Sequence, residues 1–192
     1  MIGDKFLFLE EHLEKAKKIL EKFDFQKDKD KTVISISGES GTGKSEIAQL
    51  LRSLLFKRKN MKSVIYCLDD YKIRNSKNIG MEQIRWAEIE YGLIKFTCSV
   101  PNAPITIYDK FLDSNCTLYF NAKYPSIAII EGVFALNIKS KYRVLLKGTY
   151  KDTEDFRIKR SNITESNYIL EKEHEQLEEL KNKTKPNLIL WS

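Results

Sequence analysis

The chain has 192 residues, a length that predicts one compact domain and argues against two full domains. Its 42% hydrophobic and 31% charged residues, with only 8 Gly and 4 Pro, exclude the collagen-like and disordered classes. Three cysteines without C-x-x-C spacing argue against a disulfide framework and against a tetrahedral zinc site built from them. The net charge of +6 fits either nucleic acid or a polyanionic small ligand such as a nucleoside triphosphate, so charge alone does not choose.

The sequence also bears on the compartment. No apolar run approaches the roughly 18 residues that cross a bilayer, and the first residues lack the layout of a secretory signal. We therefore expect a cytoplasmic protein with no membrane partner.

The first half of the chain alternates helical and strand patterns. Apolar residues at helical spacing predict an amphipathic helix over 6–23, followed by a charged connector over 24–31. Buried-strand runs at 32–37 and 63–68 flank a predicted helix at 44–60, and a third helix is predicted over 81–96. We interpret residues 1–31 as an accessory helix and connector, and residues 32–192 as the main domain.

The second half continues this alternation and adds one hairpin. Two short runs, 105–108 and 116–120, predict a small antiparallel hairpin. Strands are then predicted at 126–130, 142–146 and 187–191, and helices at 153–160 and 165–183. The alternation predicts an α/β fold with a mostly parallel sheet, helices on both faces and a small inserted hairpin.

The most specific motif lies between the first predicted strand and the helix that follows it. Residues 38–45 match G-x-x-x-x-G-K-[ST], the phosphate-binding loop of nucleotide-binding proteins known as Walker A. Glycines let the backbone curl so that successive N–H groups point at phosphate oxygens, Lys44 supplies a positive charge, and Ser45 supplies a hydroxyl for Mg²⁺. The alternative is a glycine-rich turn that binds nothing. The predicted nucleotide-binding residues are Gly38, Glu39, Ser40, Gly41, Thr42, Gly43, Lys44 and Ser45.

Two acidic residues follow other predicted strands. Asp69 and Glu131 end apolar runs, and the carboxyl ends of strands are where open α/β sheets bind their ligands. A phosphate-bound Mg²⁺ needs such acidic partners, so we predict that Ser45, Asp69 and Glu131 hold the metal. Both acids also fit simple structural roles, as a helix cap and as a strand-ending turn.

These elements, in this order, resemble the uridine kinase and phosphoribulokinase group of phosphate-loop kinases. The matching segments are D-[SD]-[FY] at 69–71, Y-D at 108–109, E-G-[IV]-x-A-L at 131–136, and a basic lid helix over 152–160. The resemblance spans about residues 32 to 190 and implies the P-loop NTPase fold. It also implies transfer of the γ-phosphoryl group of Mg·ATP to a hydroxyl of a nucleoside-like metabolite.

The resemblance implies roles for particular residues. Asp69 would be the base that takes the proton of the acceptor hydroxyl, while Lys44, Arg157 and Arg160 would act on the transferred phosphoryl group. The acceptor contacts would be Tyr71, Tyr108 and Asp109. ATP and Mg²⁺ would be the cofactors and a small hydroxylated molecule the partner; nucleic acid is not expected, and homo-oligomerisation stays open.

The chain departs from the family pattern at three places, and other interpretations remain. No His follows Tyr108-Asp109, residues 78–86 stand in place of the family's D-H-P element, and the lid lacks a second pair of arginines. The alternatives are a non-catalytic nucleotide-binding protein and a regulatory NTPase, the latter disfavoured because no D-x-x-G occurs. The tyrosines could pack in the core, the basic run at 157–160 could be a solvated helix face, and His12 and His174 are predicted to lie on the surface.

Overall fold

The computed structural model describes residues 5–25, 31–74, 76–161 and 166–191, and a five-stranded parallel sheet forms its centre. In spatial order the strands are β2 (Ser63–Cys67), β5 (Ile127–Glu131), β1 (Thr32–Gly38), β6 (Tyr142–Lys147) and β7 (Leu188–Trp191). Every residue of β1 and β5 is buried, as expected for strands covered on both faces. Because the strands are parallel, the loops that follow their carboxyl ends gather at one edge of the sheet.

Helices cover both faces of this sheet. On one face, α1 (Glu10–Lys22) and α2 (Lys44–Lys59) pack over β1, with Ile19, Ile34 and Leu51 in the shared core. On the other face, the core contains residues of α3 (Trp86–Thr97) and α5 (Asn167–Thr184), including Phe96 and Leu177. The short helix α4 (Glu154–Ser161) follows β6. The predicted α/β architecture is confirmed.

The predicted hairpin forms a separate two-stranded antiparallel sheet. Its strands are β3 (Ala103–Asp109) and β4 (Ser114–Phe120), paired from Ala103 opposite Phe120 to Asp109 opposite Ser114. The Asp109 carboxylate accepts hydrogen bonds from the backbone N–H groups of Phe111 and Leu112 and so holds the turn closed.

Two predicted helix starts were wrong, and each has a local cause. The first helix begins at Glu10 because Leu9 is extended (φ −108°, ψ 158°) and its N–H donates to Nδ1 of His12 at 3.3 Å. The predicted helix over 81–96 is a 3-10 turn, Gly80–Gln83, followed by α3 from Trp86. The indole N–H of Trp86 donates to the Met81 carbonyl and fixes that break.

The prediction that His12 lies on the surface was also wrong, since only 2% of this residue is exposed. Its ring lies between the phosphate loop and Phe156 of α4, which it meets edge to face with ring centroids 5.5 Å apart. The predicted helix start at 165 lies outside the described residues. Within the described ranges, no helix combines the length and the apolar character needed to cross a bilayer.

Candidate active site

The phosphate loop joins β1, the central strand, to α2. Gly41 and Gly43 both adopt left-handed backbone conformations, with φ of 83° and 80°, which side-chain-bearing residues rarely adopt. Space is also limited there, because a Cβ on Gly43 would lie 2.4 Å from Nε2 of His12. The glycine spacing of the motif is therefore required by both backbone and packing.

The loop is held by its own polar groups. The Glu39 carbonyl accepts hydrogen bonds from Nζ of Lys44 at 2.7 Å and from the Thr42 hydroxyl at 2.9 Å. Lys44 is almost fully buried and follows Gly43 as the first residue of α2, so its ammonium lies inside the loop at the positive end of the helix dipole. A positive charge at a helix N-terminus fits a phosphate ligand.

Glu131 ends β5 next to the loop, and the register of the sheet explains its position. It lies opposite Ile36 of β1 and Cys67 of β2. The Ser45 hydroxyl donates to its carboxylate at 3.1 Å. Glu131 is only 3% exposed, and this burial raises its pKa. The negative charge of Asp69 acts in the same direction, whereas a hydrogen bond with Cys67, the charge of Lys44 and the hydrogen bond from Ser45 oppose it.

Asp69 and Asp70 follow β2 in a 3-10 turn, Leu68–Tyr71, and have different environments. The Asp69 side chain is 42% exposed and pairs with Nζ of Lys72 at 3.0 Å. Asp70 is buried, which raises its pKa, and it accepts a hydrogen bond from the Tyr108 backbone N–H. Asp70 therefore ties β3 to the turn, and Asp69 is the carboxylate open to the cleft.

The three predicted metal ligands come together at the carboxyl edge of the sheet. Ser45 bonds to Glu131, and Asp69 lies two residues after Cys67, which is opposite Glu131 in the sheet. Hydroxyl and carboxylate oxygens are the ligands that Mg²⁺ takes, together with phosphate oxygens and water. These three residues thus fit a Mg²⁺ ion bound with a nucleotide.

The lid helix packs directly on the phosphate loop. The Thr153 hydroxyl donates to the Ser40 carbonyl at 2.7 Å. The Arg157 side chain lies over Gly41, where an added Cβ would come within 2.7 Å of its Cγ. Arg157 therefore lies beside the loop as its predicted role requires. The side chain of Arg160 lies outside the described residues.

The three predicted acceptor contacts separate in the structure. Tyr71 lies in the core instead of the cleft, with its hydroxyl accepting a hydrogen bond from the Thr106 backbone N–H. Burial raises the Tyr71 pKa. Asp109 caps the hairpin turn, as described above. Tyr108 alone of the three lines a cavity, where Arg74 stacks on its ring at 3.7 Å and its hydroxyl donates to Asp113.

Sequence reasoning missed several polar residues around this cleft. Lys72 bridges Asp69 and Glu173 of α5, and Arg74 donates to the Asp69 carbonyl. Glu39, expected to contribute to nucleotide binding as part of the loop, has its carboxylate bonded to the Tyr150 N–H and to His174. Most of these pairs join residues more than 100 positions apart in the sequence, and no local sequence pattern predicts them. Lys72 and Arg74, which follow the Asp69 motif in the sequence, were the available signal.

Comparison with known proteins gave one curated relative. No family model matches the chain. It is 25% identical over 154 residues to uridine-cytidine kinase C from Dictyostelium discoideum, an alignment that covers 77% of this chain and 33% of that protein. The chain thus spans about a third of the length of this relative.

Solved structures share the fold at low identity. A candidate fructose transport system kinase from Silicibacter sp. TM1040 superposes with a TM-score of 0.64 and 13% identity over 93% of this chain and 98% of that one. A candidate uridine kinase from Bacillus stearothermophilus superposes with a TM-score of 0.59 and 18% identity, over 94% of this chain and 97% of that one. A D-glycerate 3-kinase from Cryptococcus neoformans superposes with a TM-score of 0.58 and 11% identity, over 90% of this chain and 87% of that one.

The curated relative and one of these structural neighbours carry uridine kinase names. The resemblance to the uridine kinase and phosphoribulokinase group is confirmed, and the chain has the fold of these phosphate-loop kinases.

Proposed function

We propose that this chain is a kinase that transfers the γ-phosphoryl group of Mg·ATP to a hydroxyl of a small, nucleoside-like metabolite. One observation carries the proposal: Asp69, whose side chain is 42% exposed, follows β2 next to the strand that ends in Glu131, the partner of Ser45. The curated relative is named as a uridine-cytidine kinase, and this supports the same class of reaction.

The chain's own groups suit a reaction that depends on positioning and charge. Phosphoryl transfer passes through a loose transition state with charge spread over the phosphoryl oxygens. Lys44 and Arg157 would neutralise that charge, and the loop N–H groups would fix the phosphates. Mg²⁺, held by Ser45, Glu131 and Asp69, would neutralise charge on the β- and γ-phosphates.

Asp69 would orient the acceptor. Its carboxylate accepts a hydrogen bond from the acceptor alcohol, whose oxygen forms a bond to Pγ while the bond from Pγ to the bridging oxygen of ADP breaks. The alcohol proton passes to Asp69 and then to solvent. The ion pair with Lys72 restricts the rotation of the Asp69 carboxylate.

The proposal is tested by ADP release with Mg·ATP against nucleosides, sugars and other small alcohols. We expect one acceptor class to stimulate turnover and Asp69→Asn to lower that turnover by about 10²-fold or more. Asp24→Asn, which removes an exposed carboxylate beyond α1, is the matched control and should keep the full rate.

Two outcomes would contradict the proposal. ATP hydrolysis that no acceptor stimulates would favour a regulatory NTPase, and ATP binding without turnover would favour a non-catalytic binding protein. Stimulated turnover that survives Asp69→Asn would remove Asp69 from the reaction.

A further inference from the structure

A second polar cluster joins the phosphate loop to α5 and shares no residue with the Ser45–Glu131 pair. It joins Glu39 of the loop to His174 and Glu178 of α5, with one potential metal-ligating atom from each residue, and these atoms all lie within 4.8 Å of one another. Nδ1 of His174 is 2.7 Å from Oε1 of Glu39. His174 and Glu178 are four residues apart, so they project from the same face of the helix.

The charge of this cluster is poorly balanced. Glu39 is 6% exposed, and its second oxygen accepts a hydrogen bond from the Tyr150 N–H at 2.6 Å. Among the described residues, the ion-pair partner of Glu39 is His174, which carries a charge only when protonated. A buried carboxylate is costly without a cation. A cation held by both carboxylates and the imidazole would offset this cost.

The residue types indicate which cation. Imidazole nitrogen together with carboxylate oxygen suits Zn²⁺ and related transition metals, whereas Mg²⁺ prefers oxygen ligands alone. Zn²⁺ binds such atoms at about 2.0–2.2 Å, so tetrahedral ligands lie about 3.3 Å apart. The separations within the cluster bracket this value, from 2.7 Å to at most 4.8 Å. Small side-chain rotations would complete the geometry.

An adjoining cavity leaves space for a fourth ligand. It has a volume of about 210 Å³ and is lined by all three cluster residues. Asp152, Lys147 and Lys181 line it too, and Lys181 pairs with one oxygen of Glu178. The other oxygen of Glu178 remains for a metal, and water could enter from the cavity as the fourth ligand.

We propose that Glu39, His174 and Glu178 form a binding site for a divalent transition-metal cation, with Zn²⁺ as the preferred ion. The ion would tie the phosphate loop to α5. The same helix carries Glu173, which pairs with Lys72, the partner of Asp69. Occupancy of this site would therefore restrain the helix that contacts the candidate active site.

The test uses the full chain with its three cysteines replaced by serine and millimolar Mg²⁺ present, so that thiols and oxygen-only sites do not bind the probe. Zn²⁺ binding is measured by calorimetry, and Co²⁺ is used as a spectroscopic probe of tetrahedral geometry. We expect one site per chain and a tetrahedral Co²⁺ spectrum. His174→Ala and Glu178→Gln should each weaken binding by about tenfold or more.

Glu179→Gln is the matched control, since Glu179 lies on the same helix with 73% of its side chain exposed. It should bind Zn²⁺ as the parent does. Circular dichroism checks folding, and His174→Gln provides a second variant if His174→Ala unfolds. Equal binding by the parent and both ligand variants, or no binding of Zn²⁺ at 100-fold excess over protein, would overturn the proposal. Because no nucleotide is present, the result is independent of the proposed kinase activity.

Discussion

Glu131 gives the sharpest physical prediction, because its charge should help to bind the metal and nucleotide while it destabilises the folded protein. The carboxylate is buried at the end of β5, and this burial raises its pKa. In Glu131→Gln the side-chain carbonyl can still accept the hydrogen bond from Ser45, which is 3.1 Å long. The substitution therefore removes the charge and keeps the shape, and we expect the ligand-free variant to be more stable.

The magnitude follows from two opposing contributions. Taking a carboxylate out of water costs several kcal/mol in a real protein. Hydrogen bonds to a charged group return about 1.5–3 kcal/mol, here from Cys67 and Ser45 with help from the nearby Lys44. A net gain of about 1–2 kcal/mol remains for the neutral variant. For a domain of this size, it corresponds to a rise in Tm of about 2–8 °C.

The gain should depend on pH with a defined sign. A carboxyl with a raised pKa in the folded state binds its proton more readily there, so its burial penalty is present above the folded pKa. The penalty disappears below the pKa of the unfolded chain, where the carboxyl is neutral in both states. The Tm difference between Glu131→Gln and the parent should therefore be largest near pH 8 and shrink as the pH falls.

Differential scanning calorimetry of the parent and Glu131→Gln from pH 8 down to pH 4 measures this difference. Glu90→Gln, at an exposed position on α3, is the control and should leave Tm within about 1 °C. Mg·ATP should stabilise the parent more than the variant, because the variant lacks a metal ligand. A variant that is less stable at pH 8, or a difference that grows toward low pH, would refute the reasoning.

The other predictions concern packing and acceptor contacts. Gly43→Ala should lower Tm and abolish stabilisation by ATP, because the added Cβ would meet His12 at a left-handed backbone position. Adding His12→Ala to this variant should restore part of the lost Tm. Equal stability of Gly43→Ala and the parent would contradict this packing. Tyr71→Phe leaves the buried Thr106 N–H without its acceptor and should cost about 1–3 kcal/mol in urea unfolding, with kcat nearly unchanged. A large loss of kcat with normal stability would instead make Tyr71 an acceptor contact.

The sequence predicted most of the fold because the dominant signals are local. Continuous apolar runs identified the strands of the sheet, and the glycine spacing of the loop identified β1 as the strand before it. The order of strands across the sheet is a different matter. It depends on which helices pack on which face, and no single segment encodes that choice.

The errors at helix starts arose from short-range polar contacts. The residues before Glu10 have helical periodicity, yet Leu9 is extended and its N–H bonds to the His12 ring. A similar competition breaks the helix before Trp86, whose indole bonds to the carbonyl of Met81. Periodicity reports which side chains are apolar and does not report which backbone groups find a better partner.

The candidate site was predictable where a motif carries it and unpredictable elsewhere. Glu131 ends β5 and Ser45 lies just after the loop that follows β1, so the parallel sheet brings them together. The choice between Asp69 and Asp70 depends on the direction of each side chain in the turn, which the shared motif cannot specify. The links from Glu39 to His174 and from Lys72 to Glu173 join distant segments and became visible only in the fold.

The most direct test of the central claim is to follow the γ-phosphorus of ATP. The chain is incubated with Mg²⁺, γ-labelled ATP and the acceptor that best stimulates ADP release, and the labelled products are separated. The account predicts that the label appears on the acceptor, in amounts equal to the ADP formed, and that Asp69→Asn nearly abolishes the transfer. Label found only in inorganic phosphate, or label that stays in ATP with every acceptor, would contradict a phosphotransferase.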